Sequence, residues 1–375
     1  MEIISIGVRE NSILMELLGK SREELRDLCV ALAEPAYRGE QIYHALYAEK
    51  MYAFSRMTNL PKVLREKLER DAAISLPSLR QRYVSEDGSI RFLLGLAGTP
   101  NASVEAVFMP SERRQTICIS TQAGCAVDCQ FCLTAQLGLI RNLTAGEIVG
   151  QVLVALLEAG ASQASDTGHS SDTKQTNVVL MGQGEPLLNF ENVIGALRIM
   201  LDPEALGLSP KHVTLSTSGI VPGIERLGQE AVRPKLAISL NASNDEQRDK
   251  LMPINRKYPL EKLLAACQAY PLRNWEHLTF EYVMLGGVND TEDDARRVSR
   301  LLAPLVRVKV NLIPWNPGEL PFDETSESSI EAFRRILTDR GIPTFVRYSR
   351  GRDVMAACGQ LALKDVDRGQ LTVIS

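Results

Sequence analysis

From about Thr116 onward, apolar and polar positions fall into a regular alternation of short β-rich runs and longer stretches with helical spacing. Apolar runs rich in β-branched residues occur at 116–120 (TICIS), 177–182 (NVVLMG), 212–217 (HVTLST), 235–240 (KLAISL), 278–285 (LTFEYVML) and 308–314 (VKVNLIP). Between them lie TAGEIVGQVLVALLEAG, NFENVIGALRIML, VPGIERLG, PLEKLLAACQAY and TEDDARRVSRLLAPL, with apolar residues three and four apart. A last helical pattern, ESSIEAFRRILTDRG, precedes PTFVRY. That period marks helices with one buried face. Six strand–helix units in a row predict an α/β fold with a parallel sheet, either a (β/α) barrel, open or closed, or a doubly wound sheet. The pattern itself does not choose between them.

Residues 1 to about 80 read as helical instead. Ser21 is placed to cap SREELRDLCVALA, with Glu24 three positions on as its capping-box partner, and GEQIYHALYA and LPKVLREKLERDA continue at helical spacing. A Pro- and Ser-containing stretch near Leu76–Ser78 closes this region. Asp87-Gly88, between RYVSE and SIRFLLGL, signals a β-hairpin, and VEAVFMP from Val104 a further strand. The expected organisation is a helical accessory domain over 1–80, a β linker region over 81–115 and a core over 116–375. One segment breaks the rhythm: residues 161–176, ASQASDTGHSSDTKQT, are polar and aperiodic and read as a surface loop, with contact to a substrate as the functional alternative.

Composition narrows the class. The chain has 375 residues, 45% hydrophobic and 23% charged, enough apolar content for a sizeable core. A formal charge of −4 argues against nucleic-acid binding over the whole surface but leaves room for a local basic face. No run of about 18 apolar residues suggests a membrane span, and the N-terminus lacks a secretory pattern, so a cytoplasmic protein without membrane attachment is expected.

The cysteines carry the chemistry. Of seven, three fall together as Cys125-Ala-Val-Asp-Cys129-Gln-Phe-Cys132, directly after the first strand of the alternating region. That places them at a strand's C-terminal end, where α/β barrels build active sites. Three thiolates can hold three irons of a [4Fe-4S] cube and leave the fourth open. The competing reading is structural zinc, which normally closes a four-ligand shell. No fourth Cys or His lies nearby in sequence, since the histidines are His44, His169, His212 and His277. Cys29 and Cys267 lie on apolar helical stripes and read as core.

Cys-x3-Cys-x2-Cys after a first strand, an aromatic (Phe131) before the last cysteine, and Gly182-Gln183-Gly184-Glu185-Pro186 after the second strand together resemble the radical S-adenosylmethionine (SAM) superfamily. The ordered set CISTQAGCAVDCQFCLTAQLG, RNLTAGEI, MGQGEPLLN, LSTSG, NLIPWNP and AACGQL, with PAYRGEQIYHALY in the N-terminal region, is similar to the bacterial dual-specificity adenine-C2 RNA methyltransferases (RlmN type) over nearly the whole chain. The resemblance implies a partial (β/α)6 radical SAM barrel with a small helical N-terminal domain and a short β hairpin region. It implies a [4Fe-4S] cluster on Cys125, Cys129 and Cys132 with SAM on the open iron. Gly184, Glu185, Ser216, Ser239, Leu240, Asn241 and Asn316 match SAM contacts. Some members carry His at the position of Asn241, which leaves side-chain detail there open.

The resemblance also implies a mechanism. Carbon 2 of adenine is electron-poor and will not attack a SAM methyl group, so a radical route is needed. Cys358 matches a relay that takes a methyl group from one SAM, a second SAM initiates the radical step, Glu105 matches the base that takes the carbon-2 proton, and Cys118 matches the thiol that forms a transient disulfide with Cys358 and frees the product. Without the resemblance, Cys118 is a strand cysteine and Glu105 an ordinary strand carboxylate. The implied partners are 23S rRNA and tRNA, at the adenine 3′ of the anticodon, and a reducing electron donor such as flavodoxin; the expected state is a monomer. Basic residues available for RNA are Arg80 and Arg82, Arg113 and Arg114, Arg347, Arg350 and Arg352, and the stretch Lys62, Arg65, Lys67 and Arg70, each of which could equally be a solvated face. The alternatives are a carbon-8 adenine methyltransferase (Cfr type), whose members tend to lack the PWNP and GEPLLN forms present here, a protein-radical activase, and a non-enzymatic zinc-bearing RNA-binding module.

Overall fold

The computed structural model describes residues 14–99, 102–167, 175–367 and 370–373. The N-terminal region contains α1 (Arg22–Ala31), α2 (Tyr37–Tyr47) and α3 (Lys62–Asp71). The capping box at Ser21 is present: its Oγ accepts from the Glu24 amide at 3.2 Å, and its own amide donates to Glu24 Oε2 at 2.7 Å. Leu25, Leu28 and Cys29 of α1 and Ile42 and Leu46 of α2 are buried in the joint core. Asp202 of the main body accepts from Arg22 at 3.1 Å and from the Tyr43 hydroxyl at 3.0 Å, so this region is fastened to the rest. It is not wholly helical. Met15–Glu16 pairs in parallel with Ala72–Ala73, and a long strand begins at Ser78.

The remaining elements follow in chain order: β1 (Ser78–Val84), β2 (Ile90–Gly95), β3 (Ser103–Pro110), β4 (Arg114–Ile119), α4 (Ala145–Thr167), β5 (Gln175–Leu180), α5 (Phe190–Leu201), β6 (Val213–Thr217), α6 (Val221–Gln229), β7 (Lys235–Ser239), α7 (Asp245–Leu251), α8 (Leu260–Ala269), β8 (Leu278–Gly286), α9 (Glu292–Leu302), β9 (Val308–Pro314), α10 (Glu327–Asp339) and β10 (Thr344–Val346). The strands form one sheet in the order β10-β9-β8-β7-β6-β5-β4-β3-β2-β1. From β4 to β10 neighbours are parallel, and β3, β2 and β1 extend the β4 edge antiparallel. Spatial order repeats chain order with no reversal. A doubly wound sheet reverses at a switch point, so this is the singly wound arrangement of a barrel wall, and the ladder does not close among the described residues.

The hairpin expected at Asp87-Gly88 joins β1 and β2, whose strands continue the barrel sheet. The loop expected over 161–176 needs correction. Residues 161–167 continue α4 rather than starting a loop; ASQASDT contains no Gly or Pro to stop a helix. Residues 168–174 lie outside the described residues, and 175–176 open β5. Sequence reading also missed α7, which is only seven residues long and starts where the Asn244 side chain accepts from the Gln247 amide at 2.8 Å.

The strand period decides what faces the barrel interior. In β8, Leu278, Phe280, Tyr282 and Met284 join the main core, while Glu281 and Val283 line the central cavity. Outside, Val149, Val152 and Leu153 of α4 and Val193, Ile194 and Leu197 of α5 bury against Ile117, Val178 and Leu215. No helix among the described residues is long and apolar enough to cross a membrane.

Candidate active site

At the C-terminal ends of β4 to β9 the chain encloses a cavity of about 970 Å³ including its open mouth. Its first wall is the cysteine loop. Gln122–Gly124 pairs with Leu139–Asn142, and the Cys125 amide donates to Gly138 O at 2.9 Å, so the loop is clasped at its base. Gly124 sits at φ +74°, and a Cβ there would come 1.8 Å from Gly138 O, so only glycine fits. Cys125, Cys129 and Cys132 all line the cavity. Phe131, Leu133, Met252 and Trp315 surround them with apolar surface.

Burial, followed by the Val127 backbone contact and the charge of Cys132, leaves the Cys125 thiol up at about 11, and burial pushes Cys129 and Cys132 up as well. Protons therefore stay on these sulfurs until a cationic centre replaces them. Among the described residues no group of three or more His, Cys, Asp or Glu side chains is gathered to hold a single metal ion. Three soft sulfur donors around an apolar-shielded cavity suit an iron–sulfur cluster, which takes thiolate ligands and is tuned by such a shell.

The second wall is the turn after β5. Gly184 lies at φ +100°, where a Cβ would meet the Gln122 amide nitrogen at 2.7 Å. The Glu185 amide donates to Gln122 Oε1 at 2.9 Å. Its buried carboxylate accepts from the Leu187 amide (3.0 Å), Thr217 Oγ1 (2.8 Å) and the Ser218 amide (2.6 Å). Burial raises the Glu185 pKa against those bonds.

Strand ends supply the third wall. Ser216, Ser239, Asn241 and Asn316 line the cavity. Leu240 is fully buried and does not line it; its carbonyl instead accepts from Arg248 at 3.1 Å. Asn241, at φ +55°, uses its side chain internally, accepting from the Val283 amide at 2.8 Å.

Cys358 completes the ring. It lines the same cavity as the three cysteines, and its carbonyl accepts from Asn316 Nδ2 at 3.2 Å. The segment just after it is held to the residues that follow Cys132. Gly359 O accepts from the Leu133 amide at 2.8 Å, and Leu361 O from Thr134 Oγ1 at 2.6 Å. Cys358 is exposed as a residue, while the protein around its sulfur, with Glu281 and Cys132, pushes the thiol pKa up.

Cys118 is buried and packs with Val107, Val354, Ala356 and Leu361, against the segment that carries Cys358. Burial raises its pKa, and the charge of Cys358 contributes. Both are free thiols here, so the disulfide expected as a transient is not formed. Glu105 is buried and does not line the cavity. Its Oε1 accepts from Arg91 at 2.5 Å, and its Oε2 from the Leu363 amide at 3.0 Å and Gln183 Nε2 at 3.4 Å. Burial raises its pKa while Arg91 opposes that rise.

Sequence reading missed Glu281, a cavity-lining carboxylate that accepts from Ser216 Oγ at 3.1 Å. A signal existed: it is the one charged position inside the apolar run LTFEYVML. It also missed Arg91 and Arg248, both fully buried. Cys29 and Cys267 are buried core, as read. Most basic candidates for RNA have local partners. Arg65 donates to Ser55 O, Lys67 to Leu32 O, Arg80 to Ser103 Oγ and Arg347 to Asn311, while Arg70 pairs with Asp71, Lys62 with Glu66, Arg350 with Asp87 and Arg352 with Glu324. Arg113 and Arg114 are exposed at the start of β4.

Comparison with known proteins bears on this arrangement. Residues 119–298 match the radical SAM superfamily, and residues 15–74 match the ribosomal RNA large subunit methyltransferase N-terminal domain. A curated protein of Koribacter versatilis (strain Ellin345), named "Probable dual-specificity RNA methyltransferase RlmN", is 51% identical over 347 residues, covering 88% of this chain and 96% of that protein. The crystal structure of a radical SAM methyltransferase from Sphaerobacter thermophilus superposes with a TM-score of 0.84 at 42% identity, covering 92% of this chain and 99% of that one.

Proposed function

We propose that this chain, which belongs to the RlmN-type radical SAM RNA methyltransferases, methylates carbon 2 of adenine in 23S rRNA and in tRNA, there on the adenine 3′ of the anticodon. It is a SAM-dependent RNA methyltransferase with a [4Fe-4S] cluster. The observation that supports the finer reading is the position of Cys358, on the wall of the cavity that Cys125, Cys129 and Cys132 also line.

Cys125, Cys129 and Cys132 hold the cluster, and Gly184, Glu185, Ser216, Ser239, Asn241 and Asn316 form the walls that receive SAM. Once bound, cluster and SAM supply a reducing electron, an electrophilic methyl group and a carbon radical. Cys358 Sγ would give up its proton and take the methyl group of one of two SAM per turnover. Its S-methyl group would then lose a hydrogen atom to the SAM-derived carbon radical and bond carbon 2, leaving one unpaired electron on the adduct. Glu105 would receive the carbon-2 proton, and the unpaired electron would pass to the oxidised cluster. Because the Leu363 amide covers its Oε2, this step calls for the segment around Cys358 to shift. Cys118 Sγ would give up its proton and attack Cys358 Sγ, forming a disulfide; the bond from Cys358 Sγ to the methylene carbon would break, and that carbon would keep the electron pair and take up a proton to become the methyl group. Cellular thiols then restore both cysteines.

The helical region up to residue 80 is assigned to RNA selection, residues 81–115 to the support of the Cys358 segment, and 116–375 to the radical SAM core. A flavodoxin-class reductant, a monomeric state and a cytoplasmic location complete the reading. Anaerobic reconstitution with SAM, a reductant and either a 23S rRNA fragment or tRNA, followed by mass spectrometry of digested nucleosides, tests it. The expected product is 2-methyladenosine from both RNAs. 8-Methyladenosine would overturn the site of methylation, and product from one RNA alone would overturn the dual specificity.

A further inference from the structure

Arg248 is one of the largest fully buried side chains, and among the described residues no carboxylate bonds its guanidinium. Nε donates to Leu240 O at 3.1 Å, Nη1 to Asn255 Oδ1 at 3.0 Å, and Nη2 to Ser218 O at 2.6 Å and Ser239 O at 3.1 Å. Asp245 and Asp249 lie one residue further out, each accepting from Asn255 Nδ2, at 2.8 and 2.7 Å. A buried ion without a bonded counter-ion is costly, by several kcal/mol in general. Burial lowers this guanidinium to about 10, which still leaves it charged at neutral pH.

Asp245 and Asp249 favour the charged guanidinium from that distance without bonding it, and its other surroundings lead to the cysteine loop. Arg248 lies on α7, and the C-terminal end of that helix carries the cysteine loop: the Gln130 amide donates to Leu251 O at 2.9 Å, one turn beyond Arg248. Gln130 follows Cys129 directly. Ser218 and Ser239, whose carbonyls Arg248 bonds, line the same cavity as Cys129. Leu251 and Met252 pack in the apolar shell that includes Cys129 and Cys132.

We propose that Arg248 is a positioning residue that serves as the fixed counter-charge of the [4Fe-4S] cluster and raises its reduction potential. The inference rests on the assignment of the cluster to Cys125, Cys129 and Cys132. Each electron added to the cluster adds a negative charge beside a cation screened from water, so the reduced state gains more than the oxidised one. The same guanidinium ties together the carbonyls of Ser218, Ser239 and Leu240, at the ends of β6 and β7. It therefore couples the charge near the cluster to the wall that receives SAM.

The test is an EPR-monitored redox titration of anaerobically reconstituted full-length protein, comparing wild type with R248Q and R248K. With R248Q the cluster should form but titrate at a more negative potential. With R248K the potential should stay near wild type although thermal stability falls, because the charge is kept and most of the carbonyl bonds are lost. R248Q with a full cluster and a wild-type potential would reduce Arg248 to a backbone pin and overturn the proposal. If R248Q does not fold, R248K decides: a potential shifted well below wild type in a loaded protein overturns it, and an unshifted one supports it. A wild-type protein that assembles no iron–sulfur cluster would instead overturn the cysteine assignment on which the inference stands.

Discussion

The cysteine loop at 125–132 and the Cys358 segment at 351–363 line one cavity and meet where the Leu133 amide donates to Gly359 O, yet they are held mainly in different ways. At its base the cysteine loop is fastened by its neighbours, through the pairing of Gln122–Gly124 with Leu139–Asn142 and the Cys125–Gly138 bond, with the Gln130–Leu251 bond added further along. The Cys358 segment is fastened by residues far away in sequence. Ser85 Oγ donates to Asp353 Oδ1 at 2.5 Å across 268 positions, the Gly351 amide to Asp87 Oδ2 at 3.0 Å across 264, and the Leu363 amide to Glu105 across 258. A local clasp forms with little loop-closure entropy, whereas a distant one forms only once the sheet that carries it is in place. The site is thus a fixed metal-binding loop facing a segment whose position depends on the whole fold.

The sharpest way to break this pairing is at Cys358. Replacing it with Ala should bring methylated adenosine below detection while the iron–sulfur absorbance stays at the wild-type level. Turnover in that variant would remove the relay. Replacing Cys118 with Ala acts one step later: the expected outcome is RNA covalently attached to Cys358, visible as a shifted band on a denaturing gel, and free product at the wild-type rate would take Cys118 out of the mechanism. The two variants separate loading of the distant segment from release.

Next in size is the local clasp. Gly124→Ala puts a Cβ into Gly138 O and keeps a left-handed backbone. Strain of that kind costs about 1–3 kcal/mol before any clash is counted. The variant should bind markedly less iron than wild type and unfold at a lower temperature. Full cluster loading in G124A would mean that the clasp is not what shapes the loop.

What the sequence discloses follows the same division. Strand and helix order, the capping box at Ser21, the hairpin at Asp87-Gly88 and the clustering of Cys125, Cys129 and Cys132 are local patterns, and the alternation of side chains or a spacing of a few residues encodes each one. That Cys118, Glu105 and Cys358 converge is a matter of register between strands and of contacts more than 200 residues apart. Only resemblance to a family pointed to them, and the burial of Glu105 beneath Leu363 was not foreseeable. Arg248 escaped notice for another reason: a charged residue in the polar stretch DEQRDKL reads as solvated, and only the packing of α7 under the cysteine loop buries it. Glu281 was legible, since period-2 alternation puts it on the inner face of β8, but a single carboxylate in a strand carries no motif.

The smallest effect, and the one that tests the distant clasp most directly, concerns Asp353. Its carboxylate accepts from Ser85 Oγ and from the Glu86 amide at 3.1 Å, and these bonds hold its pKa below the usual carboxylate range against a slight loss of surrounding water. Asp87, on the same turn, is held low by bonds from Ser89 and Gly351. A carboxylate whose folded pKa is depressed stabilises the fold above its unfolded pKa, near 4, and loses that contribution as pH falls through the folded value. Asp353→Asn keeps the shape but not the charge. Because the group is exposed, the change should cost only about 0.5–1 kcal/mol at pH 7. In thermal unfolding the gap between wild type and D353N should be constant from pH 7 to 5 and close as pH drops below about 4. A gap that persists at pH 3 would mean that the ionised carboxylate is not what fastens the Cys358 segment to the hairpin. A gap that closes as expected would assign to Ser85, Glu86 and Asp353 the task that Gly124 and Gly138 perform for the cysteine loop.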